Sequence, residues 1–379
     1  MERLVALERA RGLAERFAER ATGADREGVL PESDIRDLKA SGLLGLSVPG
    51  EWGGSGLGLV DCVAVQLELA RGSTSSALVA AMQLHLFGHA AETQPWSSWA
   101  WAELCRRAVA GELLNSVASE PELGSPSRGG LPKTEVRPHP DGGWVVDGRK
   151  AWTTGGRWLD QLLVRCRCGD EAAVVWIPTA APGVSWRETW RDSLSLRASE
   201  SHDLVLEGVR VPEPSLIARG ETGFRQPNAW FALLTAATYL GAAWAARERL
   251  SDYARRRVPT ALGRSIATLP GIQRQIGEMQ ATLDAAETFL LAAAGDWDRA
   301  GPGGRSASYP RVVAAKHVAV EAALRVTETA LRVAGGASLS AELTFERYFR
   351  DARAGLMHPP TGDAALELIG RAVLDLPQT

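Results

Sequence analysis

WVVDGRKAWTTGG, residues 144–156, decides how this chain is read. Its first nine residues are strand-like, alternating apolar and polar positions, and the Gly-Gly that ends the stretch is a turn signal. Three further runs of the same kind follow: DQLLVRCRC (160–168), EAAVVWIP (171–178) and HDLVLEGVRVP (202–212), separated by Gly, Pro and Asp turns. The chain between 113 and about 215 therefore reads as a block of antiparallel strands.

On either side of this block the period changes. Residues 1–112 read as helices: a periodic charged segment at 2–22, then PESDIRDLKASGLL with a Pro-Glu-Ser-Asp start and a Gly close, then two Ala/Leu helices. From 224 onward, long Ala/Leu/Arg segments at 229–256, 270–299, 309–334 and 363–374 read as helices, with a Gly/Pro/Ser turn at 300–308. Helices, then strands, then helices is an α+β order. The expected domains are 1–112 (helical), 113–220 (β, barrel-like) and 221–379 (a four-helix bundle). The order contains no βαβ alternation. GEWGGSGLG at 50–58 neither follows a strand nor opens a helix on this reading, so its glycines are turn formers and not a dinucleotide-binding fingerprint.

Composition narrows the class. A hydrophobic content of 45% with 23% charged residues marks a folded soluble chain, and a net charge of −3 gives no reason to expect nucleic acid or an anionic membrane as partner. Four cysteines in a chain of 379 residues do not make a disulfide framework. Cys166 and Cys168 alternate on one strand, and no second pair stands at metal-ligand spacing, so no metal is expected. The N-terminus is charged throughout and lacks an apolar signal core, which points to the cytoplasm. Residues 229–246 form an uncharged run near membrane-spanning length, but they continue into the amphipathic ARERLSDYARRR, so a buried bundle helix is expected. The thirteen tryptophans are read mainly as core or interface fillers, although some can stack on a planar ligand.

Several motifs, in collinear order, resemble the acyl-CoA dehydrogenase superfamily. VPGEWGGSGLG is similar to its N-terminal P-x-x-x-GG-x-G loop, and VASEPELGS (117–125) to the segment opening its β domain. GRKAWTTGG (148–156) resembles its G-x-K-x-W/F-I-T-N-G strand, while GVSW, SLRASES and VLEGVRVP resemble the exit from that domain. RVAGGASLS (332–340) and RDAR (350–353) resemble its C-terminal pair of motifs. The resemblance implies a flavin, normally FAD, held by the β domain and a neighbouring subunit in a dimer or tetramer. It also implies an electron-transfer flavoprotein or a flavin reductase as redox partner.

A flavin ring needs an aromatic wall and a short polar side chain aimed at its edge. Trp152 and Thr154, two apart on a strand, are expected to share a face. By the resemblance, Trp152 packs on the flavin and Thr154 hydrogen-bonds near N5. Ser119 and Ser125 flank a Glu-Pro turn and either bind flavin oxygens or serve the turn itself. Gly335-Gly336 resembles the family's double glycine at the cofactor, and it also suits a helix C-cap. The sequence departs from the family here: its Gln before the double glycine is Arg332, and a later Gln falls on Pro270. Arg256 or Arg257 can supply a pyrophosphate partner. FAD is the expected cofactor, with FMN or reduced flavin supplied by a reductase as the alternatives.

The family's usual base, a Glu just after the RDA helix, falls on Pro359 of HPPTGD. A second family position, early in the first long C-terminal helix, falls near Phe231, with Trp230 and Ala232 beside it; Trp230 and Phe231 become candidate pocket residues. His358 and Asp363 are the candidate replacements. His358 equally suits a capping or flavin-contacting role, and Asp363 suits a cap on the last helix or a contact to the cofactor ribose. Thr361 matches a family Thr with a cofactor role. Three functions follow. The leading one is α,β-dehydrogenation of an acyl thioester, CoA- or carrier-protein-bound, with a relocated base. The second is reduced-flavin, oxygen-dependent hydroxylation of carbon, nitrogen or sulfur, which needs no α-proton base. The third is a non-catalytic flavin-binding paralogue.

Overall fold

The computed structural model describes residues 1–123, 130–220 and 226–376. Helices, sheet and helices follow one another in the expected order. The N-terminal part holds α1 (Arg3–Glu27), α2 (Glu32–Ala40), α3 (Leu59–Gly72), α4 (Thr74–Thr93) and α5 (Ser98–Val109). α1 buries one stripe, Ala6, Ala10, Leu13, Phe17 and Ala21, and leaves most of its charges in water, Asp25 excepted. α4 starts where the Ser73 hydroxyl accepts the Ser76 N–H, and it is buried along most of its length. One expectation fails here: GEWGGSGLG does open a helix, since α3 begins at Leu59. The Leu59 and Val60 N–H groups donate to the Asp298 carboxylate at 2.9 and 3.0 Å, so a protein acid occupies the place an anion would take.

The β block contains β1 (Leu114–Val117), β2 (Glu135–Pro138), β3 (Trp144–Thr153), β4 (Gln161–Cys168), β5 (Glu171–Pro178), β6 (Val184–Arg187), β7 (His202–Val211) and β8 (Leu216–Arg219). They form one sheet in the order β6-β7-β3-β2-β4-β5-β8, with β1 alongside β4. Most pairings are antiparallel, but β1 runs parallel to β4, and β2 meets β4 in parallel at Glu135 and Arg167. The cause is local. β1 leaves the helical part in the direction of β4, and the Asp160 and Gln161 N–H groups donate to Leu113 O, which fixes that register. Inside the sheet, Lys150 is fully buried and its Nζ donates to Glu120 Oε1 at 2.7 Å. The same carboxylate accepts the Lys133 and Thr134 N–H groups at 2.7 and 3.0 Å, closing the loop that leads into β2.

The C-terminal part contains α6 (Ala229–Arg256), the helical span α7 (Pro270–Ala334), α8 (Phe345–Ala352) and α9 (Gly362–Val373). The most apolar window of α6 is 94% buried, as expected of a bundle helix. Gly241 allows its close approach to α3, because a Cβ there would lie 2.6 Å from Leu67 O. The expected turn at 300–308 shrinks to one residue. Gly301, at φ 61° and ψ −178°, breaks α7, and Pro302 starts the second half, where a missing N–H does no harm. The RDAR segment ties three parts together. Arg350 donates to Asp25 of α1 at 2.6 and 3.2 Å and to Leu194 O at 3.2 Å, and Asp351 accepts the Leu196 N–H at 2.8 Å.

Glu120→Ala should destabilise the fold by ~3–5 kcal/mol, because it strands a buried ammonium and two loop N–H groups. Chemical denaturation measures it; a loss under 1 kcal/mol would show that the pair is not needed.

Candidate active site

The first turns of α6, the middle of α4 and the turn after α8 meet at a cluster of rings. Asn228 Oδ1 caps α6 by accepting the Phe231 N–H at 2.8 Å, which fixes Trp230 and Phe231 at the helix mouth. Phe231 stands edge-on to His85 of α4 (5.1 Å between centroids) and to His358 (5.7 Å). His358 also stacks on Tyr239, two turns further along α6. The candidate residues Trp230, Phe231 and His358 are thus near one another, and His85 and Tyr239 join them.

The hydrogen bonding fixes what His358 can do. Tyr239 Oη lies 2.5 Å from His358 Nδ1. The phenol is fully buried, and burial lifts its pKa well above the ordinary value, so it keeps its proton. No other acceptor for that hydroxyl is present among the described residues, so it donates to Nδ1. The imidazole then carries its own proton on Nε2 and is a donor at that nitrogen. Burial, and then the Lys316 charge, lower its pKa to about 4, so the ring is neutral at physiological pH. His85 is lowered to about 3, chiefly by burial, and its Nδ1 is buried with no partner among the described residues.

At the end of β3 the expected geometry of Trp152 and Thr154 is corrected. The ladder with β7 slips between Lys150 and Thr153, and Trp152 adopts φ 57°, so the two side chains do not share a strand face. Trp152 is 54% exposed, whereas Thr154 is buried in the turn beyond the strand. An L-residue in this left-handed conformation costs ~1–2 kcal/mol. Here that conformation leaves an indole ring uncovered beside a buried hydroxyl. Thr154 Oγ1 lies 3.0 Å from Ser201 Oγ, which lies 2.7 Å from Ser199 Oγ. A bare aromatic face next to a hydroxyl chain suits a planar, hydrogen-bonding ring system such as a flavin.

The remaining candidates are scattered. Ser119 is half-buried and its carbonyl accepts the Ala151 N–H at 2.9 Å; Ser125 lies outside the described residues. Arg256 is exposed and, with Arg249, Arg257, Tyr253 and Leu343, lines a cavity of about 200 Å³. Arg332 points to solvent and pairs with Glu328 at 2.5 Å. Gly335, at φ 65°, ends α7, and a Cβ added at Gly335 or Gly336 would meet nothing within 4 Å. Thr361, and not Asp363, holds the cap position of α9, where no side chain makes a capping bond; Asp363 sits exposed in the first turn.

Beside the ring cluster a cavity of about 160 Å³ opens between α4, the sheet and the mouth of α6. His85, His89, Thr93, Ser116, Gln226 and Asn228 supply its polar groups, and none of its described lining residues is Asp, Glu, Lys or Arg. Glu92 is near in sequence but committed elsewhere. Its Oε1 accepts the indole N–H of Trp230 at 2.8 Å and of Trp297 at 3.0 Å, and Arg305 pairs with it at 3.2 Å. Trp230 lies flat on Gly88 of α4, where an added Cβ would come within 2.2 Å of the ring.

Three family models match in series: the acyl-CoA dehydrogenase N-terminal domain over 2–96, the middle domain over 116–209 and the C-terminal domain over 233–361. The chain belongs to the acyl-CoA dehydrogenase family. As a member it is a flavin-dependent oxidoreductase. It is 36% identical to the putative acyl-CoA dehydrogenase YdbM of Bacillus subtilis, over 93% of this chain and 92% of that one. In fold it is similar to butyryl-CoA dehydrogenase from Megasphaera elsdenii, with a TM-score of 0.85, 23% identity and 98% of each chain covered. It is equally similar to the dibenzothiophene monooxygenase TdsC from Paenibacillus sp. A11-2, with a TM-score of 0.85, 24% identity and 98% of each chain covered. These similarities fix the superfamily and the fold, which hosts both reaction types.

Two predictions follow from the neutral ring. ¹⁵N NMR of His358 should show the proton on Nε2, and Tyr239→Phe should yield a tautomer mixture; a wild-type proton on Nδ1 would refute the donor role. As pH falls from about 6.5 to about 4, the unfolded chain takes up a proton that folded His358 refuses, so stability falls with pH across that window. His358→Gln should flatten that part of the acid loss in a series of urea titrations.

Proposed function

We propose that this member of the family hydroxylates a small neutral substrate, using reduced flavin and molecular oxygen. The observation that carries the reading is His358: in the turn onto which the resemblance puts the family's base, this chain has a neutral imidazole with its proton on Nε2, and proline next to it. A dehydrogenase must remove an α-proton, and a positioned base contributes ~10²–10⁴-fold to such a step. None of the described residues lining the cavity carries a carboxylate, and Glu92 is held by three donors. An oxygen-transferring site needs no such base. It needs donors toward a developing anion and a pocket that excludes water.

The overall change balances as substrate C–H, N–H or a sulfur lone pair plus O₂, two electrons and two protons giving the oxygenated product and water. Bound flavin would supply the two electrons to oxygen. Trp152 would form the ring's aromatic wall, and Thr154 would meet its edge. Ser119 and Ser125 would serve the same end of the flavin, and Arg256 or Arg257 a phosphate. Arg332, Gly335, Gly336, Thr361 and Asp363, all on the surface of the C-terminal part, would serve the flavin of a neighbouring subunit in a dimer or tetramer. FMN or FAD fits this set, a flavin reductase would be the redox partner, and the cytoplasm the expected location. His358 Nε2–H and neutral His85 would orient the substrate against the flavin edge. The uncharged cavity favours a flat, neutral molecule.

The second reading, dehydrogenation of an acyl thioester with FAD and an electron-transfer flavoprotein, is favoured by the names of the relatives, YdbM among them. One experiment separates the two. The flavin-loaded protein is mixed anaerobically with butyryl-CoA, then photoreduced and exposed to ¹⁸O₂ with a panel of aromatic heterocycles. The expected result is no bleaching by the thioester and ¹⁸O in a heterocycle product. Bleaching by butyryl-CoA would overturn the proposal in favour of the dehydrogenase.

A further inference from the structure

Lys316 lies in the second half of α7, only 2% exposed, and no carboxylate pairs with it among the described residues. Its Nζ donates to Gly355 O at 3.0 Å and to Pro360 O at 2.9 Å. These two carbonyls bracket His358, three residues before it and two after. A buried ammonium without a counter-ion is costly, and an apolar side chain of similar size would fill the same space without that cost. The charge therefore calls for an account beyond packing.

We propose that Lys316 is a positioning residue for His358, acting in two ways. Its two hydrogen bonds fix the turn so that the imidazole lies between Tyr239 and Phe231. Its charge, tied to the same turn, adds to burial in resisting protonation of that imidazole, which stays a donor on Nε2. The groups around the ring leave this role to Lys316. From α6 come the Tyr239 hydroxyl, which donates to Nδ1, and the uncharged Phe231 ring. From α4 comes His85, neutral and on the far side of Phe231. From α7 come Lys316 itself and Glu321, five residues on, which acts on Lys316. From α8, Asp351 acts on Tyr239 and is held by the Leu196 N–H. Burial lowers Lys316 to about 8, so its charge can be removed by pH within a range most folded proteins tolerate.

The inference concerns the protonation of one residue and holds for either reaction. It is tested on the as-purified protein labelled with [¹³Cε1]histidine, with His358 assigned by loss of its signal in His358→Gln. In the wild type the His358 resonance should show two steps: its own at about 4 and a smaller one at about 8 as Lys316 loses its proton. Lys316→Met should abolish the upper step and raise the lower midpoint by roughly one unit, a tenfold gain in proton affinity. Lys316→Gln, which can still donate to the carbonyls, should do the same. Lys316→Arg should abolish the upper step but keep the low midpoint. The wild-type titration stands even if a variant fails to fold. Absence of its upper step, or an unchanged midpoint in both neutral variants, would overturn the proposal and leave Lys316 as a clamp only.

Discussion

The burial of α6 is the constraint on which the site depends. Its uncharged first half sits among α3, α4 and α7, and that burial brings Trp230 and Phe231 to α4 and Tyr239 to the turn after α8. A helix so apolar has one stable place in water, the middle of the bundle. Its polar groups must then find partners inside. Tyr239 finds His358, Thr238 finds Gln66, and Trp230 finds Glu92. The site's chemistry is a by-product of satisfying these buried groups.

The turn after α8 sits on a scaffold that is held independently of what the turn itself carries. The Arg350 and Asp351 contacts hold α8 against α1 and the sheet whatever follows in sequence. In that turn this chain holds a neutral ring whose accepting nitrogen is already occupied by the Tyr239 hydroxyl. Geometry, and not the mere presence of a histidine, removes His358 from the list of bases.

Much of this was legible in the sequence because local periodicity reports burial. The strands of 144–212, the helices on either side and the interior place of 229–246 all follow from spacing. What escaped depends on single residues or on long-range pairing. One left-handed residue, Trp152, undid the assumption of alternating faces at the end of β3, and Gly301 alone did the work expected of a nine-residue turn. The loop at 50–58 was misjudged because the acid that caps the helix after it, Asp298, lies more than two hundred residues away. His85, Tyr239 and Lys316 sit inside apolar helices, where their spacing is that of ordinary core. Nothing local reveals that Tyr239 meets a residue 119 positions on.

The single carboxylate of Glu92 links three helices, gathering an indole N–H from α6, another from α7 and a guanidinium from the second half of α7 onto α4. A three-way tie of this kind joins α4 to α6 and to both halves of α7 at one point. Loosening that junction would take a change in the tie itself, since one carboxylate serves all three donors.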